Sequence, residues 1–209
     1  MAYSTINKHS DYFNTKLYTG NGGSQSITGV GFQPDWTWIK KRNATRNHNL
    51  FDSVRGVQKA LHTDSNSAEA SSANYLTAFG TDGFSVGSSS NVNASSDTYV
   101  AWNWKAGTTG SGTTTGSGYG KAYSYSVNTT SGFSVITYKG NGTAGHTIPH
   151  HLGATPKLII VKNMDSSQSW LWGMTELGWT KNLHLNETGV EQTSSTIWND
   201  TAPTSTVFT

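Results

Sequence analysis

The residues able to do chemistry in this chain are scattered rather than grouped. The carboxylates open to acid–base work are Asp35, Asp52, Glu69, Asp82 and Asp97. Cleaving a glycosidic bond takes two acids placed across one sugar linkage. No two of these stand at the i, i+2 spacing of one strand face, and no acid cluster occurs elsewhere. Glu69 is matched by Glu191, 122 residues later, and a duplicated residue of this kind is expected to serve the fold by holding a loop. Asp52 and Arg55 stand three apart beside Gly56, a spacing that braces a turn. Serine is too abundant to single out a nucleophile, and no Gly-x-Ser-x-Gly elbow is present. His146, His150 and His151 are close enough in sequence to suggest Zn or Ni ligands. The corresponding stretch of the first half, Ser26 to Gly31, has no histidine, so polar loop roles are expected for all three. No catalytic residue, metal or cofactor is expected.

Aromatic residues offer a second kind of chemistry. Trp36/Trp38, Trp102/Trp104 and Trp170/Trp172 each place two indoles on one strand face. Flat aromatic surfaces of this kind stack sugars, and they also build cores where aliphatics are scarce. Their apolar neighbours favour the core. Trp179 and Trp198 sit among polar residues and are expected to be exposed, which makes them the candidate ligand-binding pair. The Gly-Asn-Gly turns are not followed by Lys-Ser/Thr, so they are not phosphate loops.

The elements that must position these residues are stated twice. Tyr18-Thr19-Gly20-Asn21-Gly22 leads to Pro34 and the run Trp36 to Lys40; Tyr138-Lys139-Gly140-Asn141-Gly142 leads to Pro156 and Leu158 to Lys162. Gly20 and Gly140 lie 120 residues apart, Pro34 and Pro156 122 apart. Lys59-Ala60-Leu61-His62 continues the match into Lys181-Asn182-Leu183-His184. So steady an offset marks a duplicated unit. The first copy runs on through Gly83–Val86 to Tyr99–Lys105, whereas the second reaches Val207-Phe208-Thr209. The second copy therefore has no counterpart of the segment from Val86 to Lys105. Either the natural chain continues, or something else closes that copy.

Strands are predicted at Trp36–Lys40, Val57–His62, Tyr75–Phe79, Phe84–Val86 and Tyr99–Trp104. The last is apolar on both faces and reads as a central strand covered on both sides. A helical turn is expected around Ala68–Ala70, and a polar loop over Ser88–Ser96. Ala122–Val127 and Phe133–Tyr138 read as a hairpin, and Leu158–Val161 and Trp170–Trp172 as strands. The Gly/Thr/Ser stretch at 107–120 reads as a flexible linker. The expected organisation is 1–106, a first β-sandwich module with an N-terminal arm (residues 1–17); 107–120, the linker; and 121–209, a second, incomplete module. The fold class is all-β: two tandem jelly-roll or concanavalin-like sandwiches, the second lacking its last strand.

Bulk composition agrees. Only 33% of the 209 residues are hydrophobic and 12% charged, with eight Trp, nine Tyr and seven Phe. That suits short strands joined by turns. A net charge of +2 gives no strong field for nucleic acid or an anionic membrane. Without cysteine there is no disulfide, thiol nucleophile or thiolate metal site. Met1 to Thr5 is polar, so no signal peptide is expected, and no apolar stretch is long enough for a membrane helix.

Tyr18–Gly22, Phe32–Lys40, Leu50–Gly56, Asp82–Gly87, Asn91–Asn93 and Asp97–Lys105 together resemble a module common in structural proteins of tailed phages, especially marine ones. The second half resembles it through Gly140–Gly142, Pro156–Asn163 and Ser194–Asp200. The resemblance implies a concanavalin-like fold without enzymatic activity. It implies a virion component, an exposed attachment such as a tail fibre, a spike or a capsid decoration, assembled in the host cytoplasm. Expected partners are other virion proteins and further copies of the chain, as a homotrimer, and not nucleic acid or the membrane interior. The alternative is a carbohydrate-binding module recognising host surface glycans. A polysaccharide depolymerase is a third reading, and it needs a paired-acid cleft.

Overall fold

The structure, a computed structural model, describes residues 6–209; the beginning of the expected arm, residues 1–5, lies outside them. A 3₁₀ turn at His9–Asp11 precedes β1 (Phe13–Thr19), β2 (Gln25–Ile27), β3 (Trp36–Lys41), β4 (Asn49–Asp52), β5 (Lys59–His62), β6 (Ala70–Ser71), β7 (Leu76–Gly80) and β8 (Gly83–Val86). One helical turn, α1 (Ser90–Asn93), then leads into β9 (Thr98–Trp104). The second half holds β10 (Thr108–Thr113), β11 (Thr115–Gly116), β12 (Ala122–Asn128), β13 (Phe133–Tyr138), β14 (His146–Pro149) and β15 (Leu158–Val161). It ends with β16 (Leu171–Met174), β17 (Lys181–His184), β18 (Gln192–Thr193) and β19 (Val207–Phe208). The chain is all-β, and its sheets are antiparallel. No helix among the described residues is long and apolar enough to cross a membrane.

In the first half a six-stranded sheet, β1-β9-β3-β4-β5-β6, faces the three-stranded sheet β2-β8-β7. Strand periodicity sends alternate side chains to opposite faces. Ile39, Phe51, Ala60, Tyr99 and Ala101 of the larger sheet meet Ile27, Leu76, Phe84 and Val86 of the smaller, with Val92 of α1 closing the core. Leu50 and Leu61, one residue out of phase with Phe51 and Ala60, belong to a separate cluster. There they pack with Trp36, Trp38 and the second half's Met164, Trp170 and Leu185. On β9 the Tyr99 and Ala101 face is buried in the first cluster, while Val100, Trp102 and Trp104 on the other face are half-buried, Trp102 against Trp38. Trp104 also packs between Phe13, at 4.7 Å between ring centres, and Phe133, at 6.2 Å.

The second half builds the sheets β15-β16-β17-β18, β10-β12-β13 and β11-β14-β19. Its core gathers Ile148, Ile159, Trp198 and Phe208. Its four-stranded sheet repeats a ladder of the first half. Trp36 pairs with Asp52 and Leu50 with Leu61; Leu158 pairs with Met174 and Trp172 with Leu183, each position shifted by 122. Side chains follow suit. Lys40 Nζ donates to the carbonyls of Lys41 and Ala44, and Lys162 Nζ to those of Asn163 and Ser166.

Two local expectations are corrected. Residues 107–120 are not a slack tether: β10 runs antiparallel to β12 from Thr108↔Val127 to Thr113↔Ala122. Glycine supports this strand because Gly110 and Gly112 lie opposite Tyr125 and Tyr123. A Cβ there would come within 2.6 and 2.8 Å of those rings, so the rings occupy the space that side chains would need. The expected helical turn near Ala68–Ala70 is absent, and Ala70–Ser71 forms β6. The helical turn falls instead in the polar loop, where the Ser89 hydroxyl accepts from the Asn91 N–H as an N-cap.

Candidate functional site

The carboxylates are held by structural partners. Asp35, buried, accepts from the Ser53 hydroxyl at 2.7 Å, the Ala106 N–H at 2.9 Å and the Ser126 hydroxyl at 3.2 Å. It thereby ties β12 to the first half. Asp52 accepts from Arg55 Nε, and Arg55 Nη1 donates to Glu69 at 2.9 Å. The same guanidinium donates to the Leu50 carbonyl. The turn-bracing expected of Asp52 and Arg55, and the loop-holding expected of Glu69, are one buried network. Glu191, Glu69's counterpart, pairs with Lys181. Asp82 accepts from the Gly31 and Gly29 N–H groups, which hold its carboxyl below the usual carboxylate range. Asp97 is lowered chiefly by its bond from Lys41.

The three histidines do not converge. His146 shares a 2.6 Å hydrogen bond with the Thr114 hydroxyl. His150 is buried: its Nδ1 accepts from the Leu152 N–H, which leaves Nε2 to donate to the Thr204 carbonyl. His151 stacks on Tyr125, at 3.7 Å between ring centres, and shares a hydrogen bond with the Tyr123 hydroxyl. Burial lowers the pKa of all three. Among the described residues, no group of three His, Cys, Asp or Glu side chains could hold a metal.

Of the candidate ligand-binding pair, Trp179 is half-buried, and the exposure expected of Trp198 is corrected. Trp198 is 2% exposed and donates its indole N–H to the Lys181 carbonyl. Trp179 packs edge-on against it at 5.4 Å. Polar neighbours in sequence misled the reading, because Ile159, Phe208 and Ile148 reach the same core from distant strands.

Two grooves remain. One, about 370 Å³, lies between the halves, lined by Gln33, Asp35, Ser53, Thr109, Ser124 and Tyr125. The other, about 410 Å³, opens over the second half's core, lined in part by Tyr138, Gly140, Ile148, Val161, Trp198 and Phe208. Sequence reasoning did not find either. The one available signal was the Gly-x-Gly of β10 matched by the Tyr-x-Tyr of β12.

A profile described as a domain of unknown function, DUF7483, matches residues 8–209. The chain belongs to this family. The match spans both halves and includes the stretch at 107–120. No curated protein and no solved structure matches the chain.

Proposed function

We propose that this DUF7483 chain is a non-enzymatic structural component of a tailed-phage virion. It would sit on an exposed attachment, a tail fibre, spike or capsid decoration, built from two copies of one sandwich module and assembled in the host cytoplasm. It works by shape and contact, with other virion proteins and further copies of itself as partners. The observation that carries the reading is the buried Asp52–Arg55–Glu69 network. It places the duplicated acid in an ion pair that supports a loop. The resemblance of Tyr18–Gly22, Phe32–Lys40 and Asp97–Lys105 to a phage virion module supplies the setting.

The test is mass spectrometry of density-purified particles from cells infected by the phage that encodes the chain, together with light scattering of the isolated protein at micromolar concentration. The reading expects the chain in the particles at structural copy number, and a trimer in solution. A chain absent from the particles, or a strict monomer, overturns it. Glycan recognition is a second reading, favoured by the stacked Tyr123, Tyr125 and His151 rings beside the groove between the halves. A glycan array tests it, and no response across the panel removes it.

A further inference from the structure

Both halves build the groove that lies between them. Gln33, Asp35 and Ser53 come from the first, and Thr109, Ser124 and Tyr125 from the second. Its 370 Å³ falls in the range of small-molecule pockets, about 300–1,000 Å³, which form by preference where two units meet. The floor is pinned. Asp35 is 1% exposed and bonds to Ser53 on one side and to Ala106 and Ser126 on the other. Gly107, at the edge of the groove, donates its N–H to the same Ser126 hydroxyl. The walls are therefore held in place before anything enters, which spares an occupant the cost of ordering them.

The wall from the second half is fixed as well. Gly110 lies against the hydroxyl end of Tyr125, where a Cβ would stand 2.6 Å from the oxygen. His151 stacks on the Tyr125 ring at 3.7 Å, from a left-handed backbone with φ of +59° that is uncommon away from glycine. With that ring face taken, Tyr125 offers the groove its hydroxyl, which has no hydrogen-bond partner among the described residues. The Gln33 amide and the Thr109 and Ser124 hydroxyls are likewise unpartnered among the described residues, and all three side chains are exposed. These groups face solvent and can exchange water for the polar groups of a ligand.

Charge decides what they can hold. Among the described residues no Lys, Arg or His lines the groove, and Asp35 is its one charged group. A carboxylate, sulfate or phosphate would enter without a counter-ion and lie over the Asp35 carboxylate. A cation would meet a carboxylate already accepting three hydrogen bonds and closed off from solvent. An apolar molecule would strip water from four polar groups and return nothing to them. A neutral polyhydroxylated molecule satisfies all four, because each hydroxyl both donates and accepts.

We propose that this groove is a subsite for a neutral sugar, a hexose or N-acetylhexosamine unit of a glycan, and that it rejects sialic and uronic acids. The Gln33 amide and the Thr109, Ser124 and Tyr125 hydroxyls bond to the sugar across the seam of the two halves. The subsite rests on the reading of the chain as a glycan binder and narrows that reading to one place and one class of sugar.

The experiment is saturation-transfer-difference NMR on the full chain at neutral pH. Methyl glucoside, methyl galactoside, methyl mannoside and N-acetylglucosamine are set against glucuronic acid and N-acetylneuraminic acid. At least one neutral sugar is expected to bind, and neither acid. The Gln33→Ala, Tyr125→Phe double variant removes two of the four groups and leaves the Tyr125 ring on His151. Neither lost group bonds to the protein, so its melting temperature is expected to be unchanged while its affinity for the bound sugar falls about tenfold or more. Three outcomes overturn the subsite: no neutral sugar binds, an acid binds as well as the neutral sugars, or the double variant binds undiminished. A glycan array that still responds in any of these cases leaves glycan recognition standing at another place on the chain, and an array without response removes both.

Discussion

The Trp170 indole N–H donates to the His62 carbonyl at 2.8 Å, joining residues 108 positions apart in sequence. Trp170 is 2% exposed and packs with Leu50, Leu61 and the partly buried Trp36 and Trp38. It is a bolt between the halves. Trp170→Ala removes a large buried ring and is expected to cost about 3–5 kcal/mol in urea unfolding. Trp170→Phe keeps most of the packing and removes one of two donors to the His62 carbonyl, which retains the Ser65 N–H, at about 1 kcal/mol. The alanine variant is further expected to split one unfolding transition into two, as followed by fluorescence and circular dichroism.

The buried ion network makes a prediction that separates a structural from a catalytic role. The Arg55 and Asp52 side chains are 3% and 4% exposed, and that of Glu69 is 20% exposed. Removing one member of a buried pair leaves the other charge uncompensated. Arg55→Ala is expected to destabilise by about 3–5 kcal/mol. Glu69→Gln loses one more exposed contact and is expected to cost about 1 kcal/mol. Chemical denaturation of the two variants checks the order.

The all-β class was legible in the sequence because strand periodicity and turn residues are local signals. Val100, Trp102 and Trp104 alternating with Tyr99 and Ala101 was enough to place β9 at the centre of a sheet. Trp198 was not legible. Its burial depends on Ile148 and Ile159, both far from it in sequence, and on Phe208 of the last strand. The stretch at 107–120 failed for a related reason. Glycine and threonine carry no core signal of their own, and the apolar cover over Gly110 and Gly112 is supplied by Tyr125 and Tyr123 of the partner strand. The network around Arg55 was half legible: Asp52 is local to it, while Glu69 arrives from a loop 14 residues away.

That same strand gives a third prediction. Gly110→Val puts a branched side chain where the Tyr125 ring lies, and Tyr125 is stacked on His151. The overpacking is expected to cost about 1–3 kcal/mol in thermal or urea unfolding and to disturb the His151 ring signals in NMR. A flexible tether would accept the same substitution without change.

Stability is expected to fall as pH drops from 7 toward 5. His62, His146, His150 and His151 all have folded pKa values lowered by burial. The unfolded chain therefore binds more protons below roughly pH 6.5, and stability rises with pH through that window. His150 has the clearest cause, because protonating Nδ1 displaces the Leu152 N–H. His150→Gln is expected to flatten part of this dependence. A second loss at lower pH belongs to Asp82, whose depressed pKa stabilises the fold above the ordinary carboxylate range and ceases to do so as pH falls through the folded value. Melting temperatures between pH 3 and 8 for the wild type, His150→Gln and Asp82→Asn check both limbs.

Asn93 fixes the turn that closes the first half. Fully buried, it donates to the Asn21 side chain at 2.9 Å, the Gly23 carbonyl at 2.6 Å and the Gly87 carbonyl at 3.0 Å, while its own oxygen accepts from the Asn21 N–H. Asn93→Ala takes their shared partner from the Gly23 and Gly87 carbonyls and the Asn21 N–H, while the Asn21 side-chain oxygen keeps the Gly23 N–H, and is expected to cost about 1–3 kcal/mol. Hydrogen exchange should quicken first at the Asn21 and Gly22 amides. Asn141, the counterpart of Asn21, bonds instead to the exposed carbonyls of Ser117 and Tyr119. Water can replace those partners, so Asn141→Ala is expected to cost less than about 1 kcal/mol. Equal losses for the two variants would mean that the Gly140–Gly142 turn is held as firmly as the Gly20–Gly22 turn without any segment lying over it.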